Sequence, residues 1–515
     1  MQTNILQYLE HTAEQKPDKV AFSDGSDDRT FGEVLSSSMS VGSFLCRLGI
    51  YGKPIVIMMK KHPDEISAFL GCVYSGNFYV PLDTEMPPKR MELIIDSVSP
   101  AAVICDTASE KVARSLGVNT DNVYIYSDIC DTKIDKTALD CVRLKQIDTD
   151  PIYIVFTSGS TGVPKGVVAC HRSVIDYTES LCEALSFDEN NVFANQTPLY
   201  FDAPLKEIMP TLKYGATTYL VPKKMFMFPT LMLDYLDKYH INTVCWVVSA
   251  LTQISALGAI DNRSPKYLKT VAFGSEVFPI KQFNIWRRAL PNADFYNLYG
   301  PTEATGMSCW YKVDREFDEG DVIPVGRPFR NTDIILLCER DDGEGNVKSE
   351  RAKVGEVGEI CMRGTCVTLG YYGNAEKTAS AFVQNPLNTV YPETIYKTGD
   401  LGRFNERGEL IFVSRKDSQI KHMGHRIELG EIEAAASSCP KISRACCVYD
   451  ADTKRIVIFF SGDADKRELF AYLKDSLPRY MLPSETVKLD TLPLTPNGKL
   501  DRRLMGEMAV KLESK

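Results

Sequence analysis

The chain has 515 residues, 44% of them apolar and 25% charged, with a formal net charge of −9 at pH 7. That length exceeds one hydrophobic core and calls for two or more domains, and the apolar fraction is that of an ordinary globular protein. The acidic balance, with no basic arm or basic-aromatic cluster, excludes nucleic acid and anionic membrane from the expected partners.

The residues from Met1 to Leu6 lack the basic start and apolar core of a signal peptide, and no apolar stretch approaches a membrane span. Fifteen scattered cysteines without a C-x-x-C pair read as reduced core thiols, so a cytoplasmic setting is expected.

In chain order, Ile55–Met59, Ala102–Cys105, Tyr124–Tyr126 and Tyr153–Phe156 read as strands, with helical spacing over Asp64–Tyr74. Directly after the fourth strand comes Thr157-Ser158-Gly159-Ser160-Thr161-Gly162-Val163-Pro164-Lys165-Gly166. A hydroxyl- and glycine-rich loop leaving a strand offers N–H and O–H donors at close range, and Lys165 adds a fixed positive charge. That chemistry suits a polyphosphate. The spacing is not G-x-x-x-x-G-K-[ST], because only two residues separate Gly162 from Lys165 and a glycine follows the lysine.

Thr217–Val221, Thr243–Val248, Thr270–Phe273 and Phe295–Tyr299 continue the strand series, with helical stretches at Thr230–Tyr239 and Ile280–Ala289. This alternation predicts layered α/β subdomains. Asn297-Leu298-Tyr299-Gly300-Pro301-Thr302-Glu303 ends a strand in a Gly-Pro turn, with an aromatic before it and a carboxylate after it.

Beyond residue 310 the strands shorten and alternate, as in Asp333–Cys338 and Glu356–Arg363, a small β-barrel-like part. The charged stretch Glu339–Lys353 reads as a solvated hairpin excursion. Tyr396–Asp400 reads as a turn that sets a carboxylate at a strand mouth. The polar run Ser414–Ser418 suits a domain linker. A small α+β domain follows, with a helix at Glu428–Ser437, strands at Ala445–Tyr449 and Ile456–Phe460, and a helix at Lys466–Ser476. The expected organisation is residues 1–414 as a large domain, 415–418 as a hinge and 419–515 as a small mobile domain. His422 and His425 are flanked by Lys421 and Arg426, which argues against a shared metal.

Five strings carry a resemblance when taken together. They are the loop from Thr157 to Gly166, Asn297–Glu303, Tyr396–Asp400, Lys421–Glu428 and Pro493-Leu494-Thr495-Pro496-Asn497-Gly498-Lys499. In this order they resemble the ANL superfamily of acyl-CoA synthetases, adenylation enzymes of nonribosomal peptide synthesis, and luciferases. The wording N-x-Y-G-P-T-E and P-L-T-x-N-G-K looks most like amino-acid adenylation enzymes.

The resemblance implies an acyl-adenylate made from an acid and Mg·ATP, then captured by the phosphopantetheine thiol of a carrier protein. Thr157, Ser158, Gly159, Ser160, Thr161, Gly162 and Lys165 would hold the β- and γ-phosphates. Tyr299 would stack on adenine, with Asn297, Gly300 and Thr302 lining the nucleotide site. Glu303 would ligate magnesium, a hard cation suited to oxygen. Asp400 would accept the ribose hydroxyls, supported by Arg415. Lys499 would bridge the attacking carboxylate and the α-phosphate, where two anions must meet. The family rotates its small domain near the residue matching Asp417, so Lys499 would serve one half-reaction and the Lys421–Glu428 segment the other. Gly424 would allow close approach of the thiol arm. Met423 departs from the basic residue more usual before that glycine.

Phe201-Asp202 matches the family segment whose aspartate anchors a substrate α-ammonium, which favours an amino acid over a fatty or aryl acid. By the same pattern Ala203, Lys206, Cys245, Ala272, Gly274, Leu298, Gly306 and Met307 would line the side-chain pocket. Lys206, four residues after Asp202, shares its face if a helix begins there. It pairs with Asp202, points to solvent, or meets an acidic substrate, for which glutamate or a related diacid is the expectation.

Two relatives of the same class stay open. One is a D-alanine:carrier-protein ligase, which Val247-Val248-Ser249 resembles although its usual cysteine near Gly274 is missing; the other is an acyl-CoA synthetase. A catalytically silent nucleotide-binding protein fits poorly with Lys165, Glu303, Asp400 and Lys499 all present. With no carrier motif before Lys515, the carrier is expected in trans or on a longer parent chain.

Overall fold

Short β-branched runs bounded by glycine and proline become parallel strands here because helices cover them and leave no polar face. The computed structural model describes residues 2–159, 163–261, 263–341, 347–495 and 500–512. They form two units, one of residues 1–84, 98–155 and 166–416, the other of residues 85–97, 156–165 and 417–515.

The larger unit holds three sheets. The first has the spatial order Val123–Ile125, Ala102–Cys105, Pro54–Met58, Phe78–Pro81, Pro151–Thr157, Lys165–Cys170, with its first five strands parallel. The second has nine strands, and its parallel centre runs Asp294–Tyr299, Thr270–Gly274, Thr243–Val247, Val192–Asn195, Thr217–Leu220, Val20–Ser23. Helices Leu6–Gln15, Pro63–Tyr74, His171–Leu185 and Leu205–Tyr214 share one apolar cluster with both sheets, joining Leu9, Phe69, Leu181 and Met209 to Ile57, Phe193 and Ala272.

The third sheet is antiparallel and curled. Its order is Val347–Arg351, Thr332–Asp341, Gly358–Gly364, Thr394–Phe404, Phe382–Gln384, with Leu410–Arg415 also on Thr394–Phe404. One reading from sequence changes here. Tyr396–Asp400 is not a turn but part of the eleven-residue strand Thr394–Phe404. The sequence signal was Gly399, which takes φ +72° inside a bulge: between Glu359 and Cys361 the partner jumps from Leu401 to Lys397. The hairpin excursion expected at Glu339–Lys353 is present among the described residues, where Thr332–Asp341 and Val347–Arg351 pair antiparallel with Glu339 and Glu350 exposed. Arg415 closes the strand Leu410–Arg415, so the irregular stretch before the next strand is only Lys416–Ser418.

In the smaller unit a hairpin, Gln419–His422 with His425–Glu428, precedes the helix Leu429–Ser437. A three-stranded sheet follows, Ile442–Asp450, Arg455–Gly462 and Glu485–Lys488, and Ile432, Phe460, Leu469 and Leu473 meet in its core. Among the described residues no helix is long and apolar enough to cross a membrane.

Candidate active site

The phosphate loop belongs to the smaller unit. It leaves the strand Pro151–Thr157, and its described donors turn toward the segment after residue 425. Ser158 Oγ donates to the Arg426 carbonyl at 2.9 Å, and the Gly159 amide donates to Glu431 Oε2 at 3.1 Å. Lys165 Nζ stands 3.6 Å from Glu428 Oε1. Thr157 Oγ1 is buried with no hydrogen-bond partner. Ser160, Thr161, Gly162 and Lys499 lie outside the described residues. Asp417 accepts the Gln419 amide at 3.1 Å.

In the larger unit the bulge at Gly399 sets Asp400, 3% exposed, beside two donors. Tyr299 Oη donates to its Oδ2 at 2.6 Å, and Arg415 Nη1 donates to its Oδ1 at 2.6 Å and to the Thr398 carbonyl at 2.9 Å. Each carboxylate oxygen retains a second lone pair, so Asp400 can still accept two hydroxyls. Burial first, and Asp400 next, push the Tyr299 phenol well above its usual range, so it stays a neutral donor. Asn297 lies two residues before Tyr299 in the strand Asp294–Tyr299 and directs its amide hydrogens to the Ile323 and Pro324 carbonyls, at 3.3 and 2.9 Å. It ties that strand to the backbone of Ile323 and Pro324.

Gly300 and Pro301 turn that strand into the 3-10 segment Thr302–Ala304. Glu303 is completely buried and accepts Tyr371 Oη at 2.8 Å. Its charge lies close enough to act on Asp202. Burial raises the Asp202 carboxyl, a Thr302 hydrogen bond and the Lys206 charge lower it, and Glu303 raises it again. The oxygen-only carboxylate of Glu303 suits a hard divalent cation, and Glu303 is the residue that would hold magnesium.

The substrate residues converge by sheet register. Cys245 pairs with Ala272 and Gly274 with Leu298 on adjacent parallel strands, which puts all four on one face. Cys245, Ala272, Leu298 and Met307 share one apolar cluster with Tyr177. Gly306, at φ +84°, passes so near Asp202 that a Cβ there would stand 3.5 Å from Oδ2. Phe201, Asp202 and Ala203 are all partly exposed.

Lys206 lies in the first turn of the helix Leu205–Tyr214 and is 3% exposed, so it does not point to solvent. Among the described residues neither Lys206 nor Asp202 has an oppositely charged partner within ion-pair distance, although the Lys206 charge pulls on Asp202 and Glu207. Glu207 is pushed up to about 7, by burial above all, and accepts Asn195 Nδ2 at 3.3 Å. Lys61 is pushed down to about 7 by burial and donates to the Asn195, Gln196 and Val221 carbonyls at 2.9, 3.2 and 3.3 Å.

Sequence reasoning missed Tyr371, Thr398, Glu207 and Lys61 as supports of the site. Thr398 sits inside a segment that was singled out, and Glu207 directly follows Lys206. Tyr371 had no local signal, since its contact with Glu303 spans 68 residues.

Two family models match, "AMP-binding enzyme" over residues 9–372 and "AMP-binding enzyme C-terminal domain" over residues 431–499. Gramicidin S synthase 2 of Brevibacillus brevis is 30% identical over 507 residues, 97% of this chain but 11% of that protein. This chain thus spans a small part of that relative. The L-proline--[L-prolyl-carrier protein] ligase of Streptomyces coelicolor is 29% identical over 528 residues, covering 98% of this chain and 96% of that one. Among solved structures, holo-PA1221, an NRPS protein containing adenylation and PCP domains, shares the fold with a TM-score of 0.80 at 22% identity, over 98% of this chain and 84% of that chain.

Proposed function

Because this chain belongs to the AMP-binding enzyme family of adenylate-forming ligases, we propose that it activates an amino acid and delivers it to a carrier protein. The amino-acid carboxylate attacks the α-phosphorus of ATP, pyrophosphate leaves, and the aminoacyl-adenylate remains. The phosphopantetheine thiol of the carrier, in trans or on a longer parent chain, then attacks the acyl carbon, and AMP leaves. A divalent magnesium ion held by Glu303 would neutralise phosphate charge.

The observation that carries the amino-acid reading is Asp202, a desolvated, partly exposed carboxylate without a cation at ion-pair distance among the described residues. Such a group is completed by a substrate α-ammonium. Asp400 and Tyr299 supply the ribose and adenine contacts, Lys165 and the loop residues the phosphate contacts. Lys499 is the proposed catalytic cation, carried by residues 419–515, which turn about 415–418 near Asp417.

Lys206 narrows the substrate. It is buried, its charge acts on Cys245, and its neighbour Glu207 is pushed up to about 7 by burial above all. An acidic substrate side chain supplies the missing anion, and discrimination against a neutral isostere reaches roughly 10⁴-fold in sites of this kind. All fifteen cysteines are unpaired thiols, in keeping with a reducing cytoplasm.

ATP–pyrophosphate exchange over all common amino acids tests the proposal. Glutamate or a close diacid should give the highest rate. Exchange driven best by a small neutral amino acid such as D-alanine would remove the acidic-substrate reading.

A further inference from the structure

Beside Lys206 the larger unit buries an acid that the proposed chemistry does not use. Glu207 is the next residue in the first turn of the helix Leu205–Tyr214 and is 1% exposed. Its Oε2 accepts Nδ2 of Asn195 at 3.3 Å, from the end of the strand Val192–Asn195, where Asn195 is completely buried. The other oxygen of each group, Glu207 Oε1 and Asn195 Oδ1, is also buried and has no hydrogen-bond partner among the described residues. Two acceptors therefore lack a donor on the two groups that this bond already joins. Lys61 does not supply one, because its ammonium donates to the Asn195, Gln196 and Val221 carbonyls, three acceptors for its three hydrogens. Buried acceptors left unpaired are costly, and one proton on Glu207 Oε1 satisfies both. Acid and amide then form a cyclic pair, with O–H donating to Asn195 Oδ1 and N–H donating to Glu207 Oε2.

We propose that Glu207 carries a proton held against the Asn195 amide, and that this proton sets the charge of the substrate pocket beside Lys206. The inference rests on the acidic-substrate reading above and adds Glu207 and Asn195 as positioning residues that act through Lys206. Burial pushes Glu207 up to about 7, and the Lys206 charge, the Asn195 hydrogen bond and the Lys61 charge oppose it in that order. The charges of Glu207 and Lys206 both reach the Cys245 thiol, which burial raises first, Glu207 raises further and Lys206 lowers. Glu207 also reaches Tyr177, whose phenol is held well above its usual range by burial first and Cys245 next. On the other side Lys61 feels Glu207 and Glu65, and burial holds Glu65 well above its usual range. With its proton in place Glu207 is neutral, and the Lys206 charge is left for an acidic substrate side chain. Once that proton passes to solvent buffer, a second carboxylate in the same desolvated place offsets the charge and repels the substrate's own.

The test pairs infrared spectroscopy with exchange kinetics on the full chain. Glu207→Gln keeps the cyclic pair, because its amide donates where the acid did, but it has no proton to lose. The spectrum of the wild type minus that of Glu207→Gln should show a carboxylic-acid C=O band at about pH 6 that fades by about pH 8.5. Over the same range the kcat/KM ratio of glutamate to glutamine in pyrophosphate exchange should fall by about tenfold in the wild type and stay level in Glu207→Gln. The ratio cancels the α-ammonium and the nucleotide, which both substrates share. If Glu207→Gln does not fold, Asn195→Ser, which removes half of the pair, should shift the same band. Absence of the acid band, or the same pH slope with and without Glu207, would overturn the inference. The acid band without glutamate-dependent exchange would uphold the proton pair and count against the acidic-substrate reading instead.

Discussion

In the proposed reading, Asp202 and Lys206 divide recognition between the two ends of one substrate. With Asp202 proposed to hold the α-ammonium, Asp202→Asn, which keeps the shape and removes the charge, should lower kcat/KM for amino-acid-dependent exchange by at least about 10²-fold. AMP affinity measured by calorimetry should not move. Lys206→Met should lose the acidic preference and gain activity on neutral side chains of similar length, read from the same exchange panel. Asp202, Glu303, Tyr299 and Asp400 stood out as candidates because each sits in a short string whose chemistry is local. Tyr371 did not, because it reaches Glu303 only through the folded sheet.

Elements show where the chain accepts strain. The hairpin Gln419–His422 with His425–Glu428 turns through Met423 and Gly424, at φ +52° and +80°, the two positive values of a type I′ turn. Glycine suits that geometry and methionine does not. Met423 is exposed, so nothing in packing offsets its backbone cost. Met423→Asn should stabilise the protein by about 1 kcal/mol, visible as a higher Tm. At the second sheet, Gly274 faces Leu298 so closely that a Cβ would stand 2.4 Å from the Leu298 carbonyl. Gly274→Ala should therefore cost about 1–3 kcal/mol and disturb the pocket face at the same time.

The N-terminal helix is held by a titratable contact. Ile5 donates its amide to His171 Nδ1 at 3.2 Å, and burial, then Arg143, push the imidazole down to about 3. The folded state keeps the ring neutral while the unfolded chain protonates it near its ordinary value. This contribution is complete above about pH 6.5 and is lost as pH falls toward about 3, by roughly 1.4 kcal/mol per unit. Thermal unfolding between pH 7 and 5 should show that loss, and His171→Gln should flatten it. The strand-helix alternation was readable from apolar runs and their glycine and proline borders. The eleven-residue strand Thr394–Phe404 was not, because Gly399 in its middle carries the local signature of a turn.

At the scale of the molecule, one amine serves one half of the proposed chemistry. Lys499→Ala should abolish pyrophosphate exchange and leave the reaction of preformed adenylate with thiol largely intact; equal loss of both would contradict the proposed alternation. The layered architecture was legible at this scale from the order of motifs and the change of texture near residue 310. The grouping of residues 85–97 and 156–165 with 417–515 was not, since it depends on pairs such as Arg90 with Glu431 that lie 341 positions apart.

The most direct test compares glutamate with glutarate in pyrophosphate exchange by the wild-type protein. The two acids share their chain and carboxylates and differ only in the α-ammonium that Asp202 is proposed to hold. Exchange with glutamate and at least about 10²-fold less with glutarate is the predicted result. Equal exchange with both would show that no ammonium is read at Asp202, and the amino-acid assignment would fail.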